Sequence, residues 1–141
     1  ASMKILDESV SELSGKKIVI LGQGMLVGRP VTHLLRTRGY DVETITSATE
    51  NPKEILRSAD VVISAIGKAN FLTADMIQEG AIIIDAGTSE EDGAVVGDVD
   101  TNSVMNVAGM LTPSPGGVGP VTVAMLLSNV LLCAQKRNES R

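Results

Sequence analysis

Short, largely apolar runs of about five residues, rich in β-branched side chains, recur along the chain, separated by segments in which apolar residues return at helical spacing. The runs are "KIVIL" (17 to 21), "DVETI" (41 to 45), "VVISA" (61 to 65), "AIIID" (81 to 85) and, more weakly, "AGMLT" (108 to 112). Runs of this length without polar alternation are what a parallel sheet covered on both faces requires. The pattern therefore predicts an α/β fold, a Rossmann-like, doubly wound and mainly parallel sheet of about five core strands with flanking helices.

Between the first two runs, "VGRPVTHLLRTRG" places Val31, Leu34 and Leu35 on one helical face and stops at Gly39. "TENPKEILRSA" predicts a short helix with Asn51 as cap and Pro52 at its first position. "LTADMIQEG" predicts a short helix or turn from Thr73 to Gly80, and "SEEDGAVVGDVD" a hairpin or surface excursion with Asp92 and Gly93 at its tip. Residues 3 to 13 are weakly amphipathic, whereas 120 to 135 are apolar nearly all round, with Val121, Val123, Leu126, Leu127, Val130 and Leu131 leaving a narrow polar strip. A helix apolar on every face expects cover on every face, which one small domain cannot easily supply.

Composition narrows the function. A chain of 141 residues suits a single domain, here 1 to 141, with Ala1 and Ser2 ahead of Met3 reading as an expression scar. The net charge of -5 and the scattering of its 12 Lys and Arg speak against a nucleic-acid or anionic-membrane surface, and 1% aromatic residues leave no platform for stacking bases. Cys133 is a single cysteine in an apolar run, which predicts a buried small hydrophobe and fits a reducing cytoplasm. No signal-peptide core is present and no run of some 20 apolar residues is read, so no membrane span is expected.

The sharpest chemical feature is "IVILGQGMLVGRP": a strand, then Gly22, Gly24 and Gly28, then a helix. In a βαβ unit the first glycine makes the tight turn, the second lets backbone meet a pyrophosphate, and the third lets helix pack on strand, with the amides of the helix start facing the diphosphate. Glycines serving packing alone are the alternative. Gln23, Leu26 and Val27 belong to the same loop. At the end of the second strand an acidic side chain would favour NAD; "TSAT" (46 to 49) is neutral, so NADP is tolerated and leads slightly over NAD. Ser47 and Thr49 fit ligand contact or ordinary capping equally. Ligands in open α/β sheets lie beyond the carboxyl ends of the strands, which makes Ala65, Ile66, Gly67, Gly87 and Thr88 candidates for the nicotinamide half. Asp85 and Asp98 lack a base, nucleophile or metal partner at a recognisable spacing, so Asp85 reads as a brace for loop amides. His33 reads as a helix-surface or groove residue, and the six methionines as core fillers. No catalytic residue and no metal ligand is assigned.

Together, "GKKIVILGQGMLVGRP", "ADVVISAIGKANFLTADMIQEGAIIIDAGT", "VVGDVD" and above all "TPSPGGVGPVTVAMLLSN" resemble the cofactor domain of methylenetetrahydrofolate dehydrogenase/cyclohydrolase, from about Leu13 to Asn129. The resemblance implies a domain that holds NADP or NAD, and a separate N-terminal domain that forms the other wall of a folate cleft. It implies that Gly22, Gln23, Gly24 and Ser47 touch the pyrophosphate and ribose side. It further implies that Thr88 and the Gly116 to Gly119 loop, with Gly117, Val118 and Thr122, lie near nicotinamide and pterin. Members carry a tyrosine and lysine motif in the N-terminal domain; the only tyrosine here, Tyr40, lies in the turn before the second strand. NADP users often have arginine at the position of Gln23, serine at that of Gly24, and a cation near Thr46 and Ser47, all missing here, which leaves the cofactor preference open.

The expectation is thus a dinucleotide-binding domain that is inactive alone and takes folate only with the missing domain. Its uncovered helix 120 to 135 predicts a homodimer or a helix folded back on 3 to 13. A stand-alone NAD(P)-binding or sensory module is the alternative, and another two-domain dehydrogenase of the shikimate or tetrahydromethanopterin type is disfavoured by the "PGGVGP" loop.

Overall fold

The computed structural model describes residues 1 to 139. Four strands of four residues each, β1 (Ile18–Leu21), β2 (Val42–Ile45), β3 (Val61–Ser64) and β4 (Ile82–Asp85), pair in parallel with β7 (Met110–Leu111) in the order β2-β1-β3-β4-β7. β1 and β3 are buried along their whole length and β4 nearly so, as their unbroken apolar runs demand, whereas β2, at the edge of the sheet, leaves Glu43 and Thr44 only partly buried. β7 is only two residues long, shorter than the predicted 108 to 112, although the flanking Gly109 and Thr112 amides still donate to the Ala81 and Ile83 carbonyls; Gly109 also packs closely on the Gly80 carbonyl, 2.6 Å from an ideal Cβ position.

The sheet separates two apolar layers. Ile18, Ile20, Val61, Ile63 and Ile84 face Leu6 of α1 (Ser2–Ser9) and Val31 and Leu35 of α2 (Gly28–Thr37). Val19, Leu21, Ile45, Val62 and Ile83 face Leu56 of α3 (Pro52–Arg57), Leu72, Ile77 and Val104 of α4 (Thr101–Val104). From β1 the chain reaches β2 by way of α2 on one face, then returns by way of α3 on the other to lay β3 against the opposite edge of β1. Crossovers of one hand require that change of face. It leaves a crevice above the carboxyl ends of β1 and β3.

Several local expectations hold. Pro52 opens α3, although Asn51 takes the cap position with φ of 51° and its side chain makes no capping bond. Residues 74 to 76 form a single 3-10 turn after Thr73. The hairpin pairs β5 (Ser89–Glu91) with β6 (Ala94–Val96) across Asp92 and Gly93, whose φ of 50° and 78° make the two-residue turn that suits twisted strands.

The terminal helix differs. α5 (Val118–Glu139) runs 22 residues, and by length and composition it is apolar enough to cross a membrane, which corrects the expectation of no such stretch. Its first residue, Val118, packs on the core, and α1 meets α5 without covering it. Val123, Leu126, Leu127, Val130, Leu131 and Leu132 remain 50–67% exposed, so the helix is not folded back under α1. Cys133 is exposed too, against the expected burial. Met25 and Met105 are likewise exposed rather than core fillers, while Met3 and Met76 pack against the core.

Candidate functional site

β1 ends where its two neighbours diverge. Gly22 continues the ladder to β2 through its amide, which donates to the Ile45 carbonyl (2.8 Å), while the Ala65 amide donates to Leu21 (2.8 Å) on the other side. Gly22 has φ of 97°, and a Cβ there would lie 2.6 Å from the Ala65 carbonyl oxygen, so only glycine fits this turn. A Cβ on Gly28 would overlap the Gly22 carbonyl, which is how α2 seats against the loop. At Gly24, by contrast, a Cβ would meet nothing within 4 Å. The amides of residues 24 to 27 make no hydrogen bond within the described residues. Bare amides ahead of a helix start, with no side chain over them, can accept an anionic group.

Gln23 turns back onto the loop: its Nε2 donates to the Gly22 carbonyl and to Thr32 Oγ1 (both 3.0 Å), and Thr32 Oγ1 donates to the Gly28 carbonyl (2.8 Å). The side chain thus staples the glycine turn to α2. Leu26 projects into solvent at 92% exposure and Val27 is half-buried. Beyond β2, Thr49 Oγ1 accepts from the Thr46 amide (2.9 Å) and Thr46 Oγ1 from the Ala48 amide (3.3 Å), closing a hydroxyl turn that leaves Ser47 exposed. Thr49 therefore serves this turn and caps no helix.

A second limb lies beside the first. Val27, Gly87, Thr88, Gly116, Gly117, Val118 and Thr122 line a cleft of about 500 Å3 with Pro113, Pro115, Pro120 and, from the hairpin, Val95. Gly22, Gln23, Gly24, Gly28, Ser47, Ala65, Ile66 and Gly67 lie outside this cleft, in the loops at the carboxyl ends of β1, β2 and β3 and at the start of α2; an ideal Cβ on Gly67 would be 4.0 Å from the Thr88 carbonyl, where the limbs meet. The Ser114–Pro115 bond is cis, and Gly117 has no room for a Cβ against the Pro113 carbonyl and Thr112. A larger hollow of about 830 Å3, lined by Leu13 to Ile18 and Arg38 to Asp41, opens at the amino ends of β1 and β2, opposite this site. His33 sits with Met25, Arg29 and Pro30 in a shallow surface hollow on α2, as a helix-surface residue should.

Asp85 does brace loop amides. Its carboxylate accepts from the amides of Gly87 (2.9 Å), Asp98 (3.1 Å) and Val99 (3.1 Å). Burial raises its pKa above the usual 3.8, and the amides of Val99, Asp98 and Gly87 pull against that rise. Sequence reasoning did not foresee the use of Asp98, Ser64 and Thr112 in the same assembly; the pairing of "DAG" at 85 to 87 with "GD" at 97 and 98 was the available signal. Among the described residues no group of His, Cys, Asp or Glu is arranged to hold a metal ion.

Comparison with known proteins matches residues 1–138 to the description "Tetrahydrofolate dehydrogenase/cyclohydrolase, NAD(P)-binding domain". The chain is 46% identical over 136 residues to the bifunctional protein FolD of Campylobacter curvus, covering 96% of this chain and 47% of that protein. It is 43% identical to FolD of Staphylococcus aureus, with 96% and 48% covered. Among solved structures, the FolD methylenetetrahydrofolate dehydrogenase/cyclohydrolase of Campylobacter jejuni superposes with a TM-score of 0.90 at 41% identity, covering 96% of this chain and 48% of that one. The Trypanosoma brucei enzyme, complexed with NADP cofactor and inhibitor, gives 0.84 at 40% identity, with 92% and 46% covered. A subunit of dipicolinate synthase from Bacillus halodurans shares the fold alone, at 0.60 and 20% identity over 94% of this chain and 50% of that one. The chain spans about half the length of the curated relatives it matches.

Proposed function

The chain belongs to the tetrahydrofolate dehydrogenase/cyclohydrolase family as its NAD(P)-binding domain, and from that premise we propose that it holds NADP or NAD along the crevice and cleft described above. The glycine turn with its bare amides takes the diphosphate, Ser47 stands at the adenosine ribose, and the 65 to 67 and 87 to 88 segments with the Pro-Gly loop flank the nicotinamide. Bound there, the cofactor supplies a hydride acceptor at C4 of its nicotinamide. In the intact protein the hydride comes from the methylene carbon of methylenetetrahydrofolate, leaving methenyltetrahydrofolate for a cyclohydrolase site in the other half. The contribution of these residues is binding and orientation, and none of them handles a proton.

One observation carries the reading: a turn in which Gly22 and Gly28 are filled by their neighbours while Gly24 is open to a ligand. The neutral Thr46 to Thr49 turn accommodates either cofactor, and no carboxylate there opposes a 2′-phosphate. Residues 1 to 141 act as one dinucleotide-binding unit of a cytoplasmic enzyme, and the exposed apolar face of α5 pairs with a second copy. Calorimetric titration of this chain with NADP and NAD separately is expected to give saturable binding of one or both. The same chain mixed with methylenetetrahydrofolate and either cofactor is expected to form no reduced cofactor. Absence of binding, or robust turnover, overturns the reading.

A further inference from the structure

Two carboxylates lie buried at the carboxyl edge of the sheet, Asp85 at 2% and Asp98 at 0% exposure, and hydride transfer gives neither a chemical task. Buried charge is unfavourable unless hydrogen bonds satisfy it. Asp98 is satisfied by the exit of β3: Oδ2 accepts from Ser64 Oγ (2.7 Å) and the Ile66 amide (2.8 Å), and Oδ1 from the Lys68 amide (2.8 Å). Asp85 in turn accepts from the Asp98 amide, and its own amide donates to Thr112 Oγ1 (2.8 Å), at the root of the Pro-Gly loop.

The two groups also interlock sterically. A Cβ on Gly87, two residues after Asp85, would land on the Asp98 carboxylate, and a Cβ on Gly97, just before Asp98, would land on the Asp85 carboxylate. Each acid therefore fills the space left by the glycine beside the other. The β3 exit, the β4 exit and the start of the Pro-Gly loop are tied into one body.

We infer that Asp98 is a positioning residue for the nicotinamide half of the cofactor, holding the 65 to 68 turn at the spacing that sets Gly67 against Thr88 and Ile66 against Gly22. The inference rests on the proposed placement of nicotinamide in this cleft. It requires a carboxylate, because three donors converge on two oxygens. An asparagine offers one oxygen, and its NH2 then opposes at least one donor.

The test compares Asp98→Asn, Ser64→Ala and, as a control, Asp60→Asn, whose carboxylate accepts from the Lys17 amide and Gln78 Nε2 at the other end of the sheet. Calorimetry gives each Kd for NADP, NAD and ADP-ribose, which lacks nicotinamide; amide exchange is followed at Ile66 and Lys68. Asp98→Asn is expected to weaken the dinucleotide about tenfold or more and ADP-ribose about twofold or less, and to speed exchange at both amides. Ser64→Ala shifts the dinucleotide in the same direction by less and carries the decision if Asp98→Asn fails to fold; Asp60→Asn changes neither ligand. Equal loss of both ligands, the same loss in Asp60→Asn, or unchanged exchange at Ile66 and Lys68 overturns the inference. Wild type that binds ADP-ribose as tightly as the dinucleotide overturns the placement of nicotinamide itself, a result visible before any variant is made.

Discussion

At the scale of single residues the glycine turn separates fold from ligand. Gly28→Ala forces a methyl group against the Gly22 carbonyl, backbone that cannot rotate away, and is expected to lower stability by about 2 kcal/mol, as overpacking does. An ideal Cβ at Gly24 meets nothing within 4 Å, so the urea midpoint of Gly24→Val is expected to stay near that of wild type while cofactor affinity falls about tenfold or more. Parallel calorimetry and urea titrations of the two variants check this; a Gly24→Val chain with unchanged affinity removes the diphosphate from that turn. The spacing of Gly22, Gly24 and Gly28 was legible in the sequence because it follows a strand and opens a helix, and Gly22 and Gly28 answer a backbone requirement there. The stapling role of Gln23 was not, because nothing in the sequence alone shows that Thr32 stands 3.0 Å away.

At the scale of elements, β1 to β4 were legible within a residue or so because short β-branched runs bounded by turn residues read as strands whether central or, like β2, at the edge. α5 was legible as a helix; its all-round apolar character calls for cover, and its exposure follows from the small size of the domain, which has no surface to supply that cover. Cys133 went astray for the complementary reason: its apolar neighbours report what that segment prefers, and this fold has no second layer to offer it. The exposed row of Leu127, Val130 and Leu131 forms the kind of apolar surface that marks an interface. Sedimentation of the wild-type chain is expected to show a concentration-dependent dimer. Leu127→Glu combined with Leu131→Glu should sediment as a monomer with unchanged far-ultraviolet circular dichroism. A wild type that remains monomeric at every concentration overturns self-pairing.

At the scale of the whole molecule the order β2-β1-β3-β4-β7 sets the glycine turn and the Pro-Gly cleft side by side, although 89 residues of sequence lie between Gly24 and Ser114. The alternation of strands and helices predicted the parallel sheet. It did not reveal the link between β3, β4 and the Pro-Gly loop, since Asp98 reaches Ile66 and Lys68 only once the sheet has formed. A ligand that bridges crevice and cleft must stabilise the whole domain: at a hundred times its Kd, bound cofactor adds about 2.7 kcal/mol and raises the melting temperature by roughly 10 °C in a chain of this size. Differential scanning calorimetry with and without cofactor reads that shift, and an unmoved transition at saturation contradicts binding to the native state.

The interlock of Asp85 with Gly97 and of Asp98 with Gly87 also restricts how this sequence can change. A larger residue at either glycine collides with the acid across from it, and loss of either acid leaves backbone donors unanswered beside an unfilled gap. Single substitutions at these four positions all lead downhill, so variation here must come in pairs: a library randomised at one position returns the parent residue, while one randomised at an acid and its facing glycine together has alternatives to find.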